Sequence, residues 1–225
     1  MNALIDLVRV LFDPTAVFQR VRERPRFLVP FLGLAAVTIV LGVINLPFTQ
    51  AALRAQMAAR ADLPQGGPDP SRFMWIGVIV APIAILIFIL VATLVLWVLV
   101  SIFGGEGKFG TLLSVVAYAS VPTVVLMAII GAIVLRIRGP ESITSFMDLQ
   151  PAVGLDLLAP GARGFTGMLL KGINPFSIWG LVLTAIGVST THQLGRGTSY
   201  TIATIAFVIS LLVGALLAGL GNPGS

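Results

Sequence analysis

Long apolar runs alternate along the chain with short polar breaks that carry most of the arginines. A helix needs about 20 mostly apolar residues to cross a bilayer. Five runs approach or exceed that length, at about 27–48, 74–103, 111–135, 175–191 and 200–220. The second predicts roughly 45 Å of helix, more than the roughly 30 Å hydrocarbon core. It must tilt, bend near Pro82 or protrude. The fourth is the shortest. The pattern predicts an all-α polytopic membrane helix bundle of about five transmembrane helices, preceded by an interfacial amphipathic helix.

That preceding segment, residues 1–26, is read as a cytoplasmic interfacial unit, and residues 27–221 as one five-span domain. Its apolar stretch, residues 3–12, is too short for a secretory signal, and its charges follow the stretch instead of preceding it. Asn2, Asp6, Arg9 and Asp13 form one polar stripe. Asp13-Pro14 reads as a cap and first-turn proline opening a second short helix. That helix has Val17, Phe18 and Val21 on one side and Arg20, Arg22 and Arg24 around the other, with Arg26 just before the first span. Two arrangements fit. The helix lies in the headgroup plane with Arg20, Arg22, Arg24 and Arg26 as lipid-headgroup contacts, or it packs under the bundle.

Composition excludes water as the main solvent. The chain is 57% hydrophobic and 10% charged, against about 25% charged for a soluble domain. Its 14 Lys and Arg against 9 Asp and Glu lie between the apolar runs, which suits interface anchoring and not nucleic acid. The first 26 residues are the densest basic segment. They predict a cytoplasmic amino terminus and, with five spans, an outside carboxyl terminus in a cell inner membrane. The absence of cysteine removes disulfides and thiolate chemistry. Residues 50–62 read as an amphipathic helix before a break at Pro64, Gly66, Gly67, Pro68 and Pro70. The long connection 136–172 contains apolar pieces at 152–158 and 165–170 that could dip into the outer interface.

Gly105, Gly107 and Gly110 spell G-x-G-x-x-G. A dinucleotide site needs a preceding strand and an acid about 20 residues on, and this stretch follows a membrane run and leads into another. A Walker loop fails because Ile102 stands where its first glycine belongs. The glycines are read as a tight turn requiring positive φ, and Gly195-Arg196-Gly197 as a second one. His192 has no obvious ligand partner, and all nine carboxylates lie outside the apolar runs. No catalytic motif, metal set or cofactor site is expected, and the chain reads as a non-enzyme.

The spans contain prolines and small polar residues instead. Pro82 frees the carbonyl of Val78, and Pro122 that of Tyr118. In lipid such groups need partners inside the protein. Thr111, Ser114, Tyr118 and Pro122 share a helical face and are assigned to the bundle interior, either as a gate or groove on a bent helix or as a packing kink. Gly180-x-x-x-Thr184, Ala185-x-x-x-Ser189 and Gly214-x-x-x-Ala218 allow close helix approach.

Three stretches, LFDPTAVFQRVRERP, GGEGKFGTLLSVVAYASVP and NPFSIWGLVLTAIGVS, resemble bacterial members of the YIP-domain family, named for Ypt-interacting proteins. The second holds the family's Tyr-x-x-x-Pro, here Tyr118 and Pro122. The third is close to its D-x-F-x-x-W segment, with Phe176 and Trp179 in place and Asn174 where aspartate is common. Asn174 and Pro175 also suit a helix cap and first turn on physical grounds alone. The resemblance implies a five-span membrane protein without a defined catalytic activity. The Rab-GTPase role of eukaryotic relatives is not expected, since only the short segment 1–26 precedes the first span here. The leading expectation is an organising or accessory protein whose partners are the lipid bilayer, itself as a homo-oligomer, or other membrane proteins. The alternative is a channel or transporter for a small solute or ion that uses the proline-bent third span.

Overall fold

A computed structural model describes residues 3–58, 74–150 and 152–220. Among them are ten α-helices and no strand. Helices α1 (Ala3–Arg9) and α2 (Pro14–Glu23) form an amino-terminal arm. The bundle follows with α3 (Leu28–Ile44), α4 (Leu46–Ala58), α5 (Met74–Ile102), α6 (Phe109–Ala119), α7 (Met127–Arg138), α8 (Gly164–Gly172), α9 (Pro175–His192) and α10 (Arg196–Leu220). The break expected at residues 64–70 lies outside the described residues. Three helices are long and apolar enough to cross a membrane alone: α5, the continuous run through α6 and α7, and α10. Two bent pairs, α3 with α4 at 60° and α8 with α9 at 61°, bring the spans to as many as five. The protein is an all-α polytopic membrane bundle.

The third span is the central one. Forty-four per cent of its most apolar window is buried, against 22% for α5 and 17% for α10. Large apolar side chains on the outer helices stay exposed, among them Ile79, Ile87 and Leu217. A surface of that kind is solvated by acyl chains and not by water. Helix α5 runs without interruption through Pro82 for 29 residues, about 43 Å at 1.5 Å per residue.

Asp13 caps α2 by accepting from the Ala16 amide at 3.3 Å, with Pro14 in the first turn. Of the two arrangements open for this helix, its apolar face takes the packed one. Val17, Phe18 and Val21 are buried in the same apolar cluster as Leu112, Val115 and Leu183. Gly187 makes that docking possible. A Cβ there would collide with Val115 and meet the Phe18 ring at 3.2 Å. Arm, α6 and α9 therefore meet at one residue without a side chain.

The two ends of the bundle are built differently. At the arm end, Trp97 donates to the carbonyl of Gly107 at 2.8 Å and closes the turn between α5 and α6. Only Gly104 in that turn has positive φ, at 80°. Gly107 is needed because a Cβ would press on the Trp97 ring, whereas Gly110 faces open space. This corrects the reading of the whole motif as a positive-φ turn. Between α9 and α10 the left-handed residue is Gln193, at φ 55°, and neither glycine of the Gly-Arg-Gly triplet.

At the opposite end one guanidinium locks an elbow. Helix α3 stops at Asn45, and α4 leaves it with Pro47 in its first turn, where no N–H is needed. Arg136 at the end of α7 donates to the carbonyl of Ile44 at 3.2 Å, to Asn45 Oδ1 at 3.3 Å and to its own helix at Ala132. Its carbon also lies 5.9 Å from the Phe48 ring centre. A cation on a helix C-terminus is electrostatically favourable. A small second cluster of Phe48, Ala52, Leu135 and Ile143 covers this end. Beside it, Asp148 accepts from the amides and hydroxyls of Thr144 and Ser145. Burial raises its carboxyl pKa, but those donors outweigh it and hold the group below its ordinary value.

Two outcomes are expected. Gly187→Leu overpacks the arm contact and lowers stability by about 1–3 kcal/mol, read as a lower unfolding midpoint of the purified protein in detergent. Gly197→Ala, which meets nothing within 4 Å, leaves the midpoint within experimental scatter. Because the Asp148 carboxyl is depressed in the fold, its contribution is present at neutral pH and disappears as pH falls through that depressed value. Hydrogen exchange at Thr144 and Ser145 should lose its protection there, and Asp148→Asn should lose it already at pH 7.

Candidate functional site

The face assigned to the interior comes from α6 and the turn after it. Thr111, Ser114, Tyr118 and Pro122 are all buried, with Ser114 at 0% and Tyr118 at 2% exposure. Pro122 does not break the span. A π-turn, Pro122–Leu126, follows it, in which the Met127 amide reaches the Pro122 carbonyl five residues back. The wider turn accommodates the proline ring without interrupting the helix. The hydroxyls nearby return to their own helix. Ser114 donates to Gly110 at 3.1 Å, Ser120 to Val116 at 2.8 Å and Thr123 to Ser120 at 3.1 Å.

Charge reaches this region from the arm and not from the spans. Arg20 forks onto Asp6, with Nη2 2.6 Å from Oδ1 and Nε 3.3 Å from Oδ2. Asp6 and Arg20, together with Arg26, are close enough to Tyr118 to act on it electrostatically. Arg9 pairs with Asp13 one turn on, at 3.1 Å. The four arginines assigned to headgroups are thus divided by the fold. Arg20 is held by Asp6, while Arg22, Arg24 and Arg26 are exposed. Arg22 also reaches the side-chain amide of Gln193 when that amide is turned to present its oxygen. Asp6 was visible in the sequence only as part of a polar stripe. Nothing in the spacing of residues 6 and 20 marks them as partners, because the turn at residues 10–13 brings them together.

The second feature is a cavity of about 680 Å³ between α5, the third span, α9 and α10. Alanines on facing helices, Ala84 and Ala92 on α5 and Ala203 and Ala206 on α10, make room for it. Its polar residues at one end are Gln150, Lys171, Asn174 and Ser177. Asn174 caps α9 there by accepting from the Phe176 and Ser177 amides, both at 3.0 Å, while Ser177 Oγ accepts from the Asn174 amide. Tyr118 and Pro122 do not line this cavity, which touches the other side of the same span at Val116, Ala119 and Thr123. Of the small-residue pairs, Gly180 permits the close approach, since a Cβ would lie 3.2 Å from the Ala119 carbonyl. Gly214 faces open space.

His192 sits at the arm end of α9 with Nδ1 2.7 Å from Thr191 Oγ1. Its Nε2 and the Ser199 hydroxyl are buried without a hydrogen-bond partner among the described residues. No three His, Cys, Asp or Glu side chains gather in a way that could hold a metal ion, again among the described residues.

Asp6→Asn should loosen the arm. The pair is partly exposed, so solvent screening limits its worth to about 1 kcal/mol. Trypsin cleavage after Arg22, which requires local unfolding of α2, should then accelerate about fivefold. In an Arg20→Gln background the same change should add little, because the pair is already absent.

Comparison with known proteins agrees with this architecture. The model of the Yip1 domain family matches residues 8–218, nearly the whole chain. Among curated proteins, the chain is similar to the Bacillus subtilis (strain 168) protein described as membrane protein YknW. The two are 29% identical over 229 residues, covering 96% of this chain and 90% of the relative. No solved structure matches.

Proposed function

The chain belongs to the Yip1 domain family, and from that premise we propose that it is a non-enzymatic protein of the bacterial inner membrane that organises or accompanies other membrane proteins. The observation that carries this reading is the state of the hydroxyls inside the bundle. Those of Thr93, Ser114, Ser120, Thr184 and Ser210 each donate to a carbonyl of their own helix, four residues back. Transport of an ion through lipid needs polar groups turned toward a common path, because an uncompensated charge there is very costly. Hydroxyls engaged in this way spend their protons inside their own helix and have none left to donate to a solute. The exposed apolar flanks and the cationic outer face of α2, with Arg22, Arg24 and Arg26, are surfaces suited to lipid headgroups and to neighbouring membrane proteins.

The inside position of the amino terminus is part of the proposal. It rests on the arginines of the arm. The arm, the turn after α5 and the turn after α9 also gather at one end, where Gly105 lies against Leu194 and Arg22 against Gln193. That grouping is what two crossings between each of these points and the next require, and α10 then makes the fifth. A reporter active only outside the cytoplasm should work when fused after Ser225.

The transporter reading keeps one supporting observation, the cavity beside the π-turn of the third span. Liposomes containing the purified protein discriminate between the two. No ion or small-solute flux above protein-free liposomes is expected, and mild extraction from native membranes should recover the protein with itself or with other membrane proteins. Reproducible flux that disappears when Ala206→Phe fills the cavity would replace the accessory reading with transport.

A further inference from the structure

The cavity between α5, the third span, α9 and α10 has an amphiphile's distribution of chemistry. Along its walls the polar atoms are already engaged: Ser120, Thr184 and Ser210 donate to Val116, Gly180 and Ala206 of their own helices at 2.8–2.9 Å. Their protons are spent, and most of the surface that lines the cavity is carbon. Phe88, Leu96 and Phe207 complete an apolar lining. Such walls give a hydrated ion few ligands, and they suit hydrocarbon.

One end differs. Lys171, in the last turn of α8, lines the cavity beside Asn174 and Ser177. Asn174 and Ser177 are occupied in capping α9, and Asn174 Nδ2 and Ser177 Oγ donate to the carbonyls of Lys171 and Gly172. The Lys171 ammonium has no ion-pair partner among the described residues. It is a cation at the mouth of an apolar cavity. From Asn174 to Thr184, both on the lining, α9 advances ten residues, about 15 Å. That is half of a roughly 30 Å hydrocarbon core, the depth of one leaflet.

We propose that this cavity binds one anionic phospholipid, with an acyl chain between α5, α9 and α10 and the headgroup phosphate at Lys171. The inference goes beyond the accessory role and depends only on the protein lying in a bilayer. The volume is within the range of about 300–1,000 Å³ typical of ligand sites, and the charge at its mouth selects the headgroup.

The test uses the full-length purified protein in mild detergent, titrated with phosphatidylglycerol or with phosphatidylcholine of the same acyl chains. Bound lipid is counted by native mass spectrometry. One phosphatidylglycerol should be retained in preference to phosphatidylcholine. Ala206→Phe fills the cavity from α10 and should weaken retention of both lipids about tenfold or more. Ala92→Phe fills it from α5 and should do the same, so that misfolding of either variant does not remove the test. Lys171→Gln should lower phosphatidylglycerol retention about fivefold, to the level of phosphatidylcholine, and leave phosphatidylcholine unchanged. Retention that is unaffected by the folded filling variants would overturn the site, and a headgroup preference that survives Lys171→Gln would overturn its selectivity. A cavity occupied by a helix of a second copy would give a stable dimer carrying no retained lipid, which also overturns the proposal. Flux measurements do not enter, so the outcome is independent of the accessory reading.

Discussion

The contact of Phe18 and Val115 over Gly187 joins three parts of the chain that are remote in sequence, and much else follows from it. An α-helix with a side chain at position 187 could not receive the Phe18 ring at this distance. Without that seat α2 would have no buried face inside the protein, and Val17 and Val21 would have to be covered by lipid. With it, α2 stands against α9 and α6, and the hydrophobic core extends from the spans into the arm. The Asp6–Arg20 pair then comes near Tyr118 as a consequence of packing, although no span contributes either charge. Ionisable groups that the primary sequence keeps apart from the apolar runs are delivered to them by a docked helix.

The same logic explains which parts of the architecture could be read from the amino acids. Spans are legible because lipid imposes a length and a composition on every crossing: α5 follows its apolar run closely at both ends, and α10 does so at its end but starts a turn earlier, at Arg196. Caps are legible because they are local: Asp13 and Asn174 act within three residues of themselves. The elbow at Asn45 was not, since the first apolar run continues to Phe48 and its break depends on Arg136, some ninety positions away. The glycine turn was located correctly and explained only in part, because close contact with Trp97 leaves no sequence signature. For the candidate site, Thr111, Ser114, Tyr118 and Pro122 are buried as helical periodicity assigns them, but α6 is buried on its other sides too, at Leu112, Val116, Ala117 and Ala119. The cavity does not follow from periodicity. It arises where alanines on helices distant in sequence oppose one another, and each alanine by itself reads as an ordinary packing residue.

Polar atoms in this bundle mostly solve local problems. Hydroxyls return to carbonyls one turn back, and the π-turn after Pro122 re-forms its backbone bonding with an i−5 partner. Groups bonded in this way are not left bare in hydrocarbon, and they need no cross-links between helices, whereas the buried Ser199 hydroxyl has no partner among the described residues. Tertiary cohesion then falls to apolar packing, closest at Gly180 and Gly187, and to charge at the two ends, where Arg20 and Arg136 act.

Helix α5 is the piece that does not fit its surroundings. At 29 largely apolar residues and about 43 Å it exceeds the hydrocarbon layer by about a third of its length. Lipids around it must stretch, or the helix must lean, and either adjustment costs a fraction of a kcal/mol for each ångström. Two proteins that each thicken their annulus can share one rim of strained lipid and so reduce its perimeter. The bilayer itself then draws such molecules together, and an assembly can begin from elastic mismatch before any complementary protein surface comes into contact.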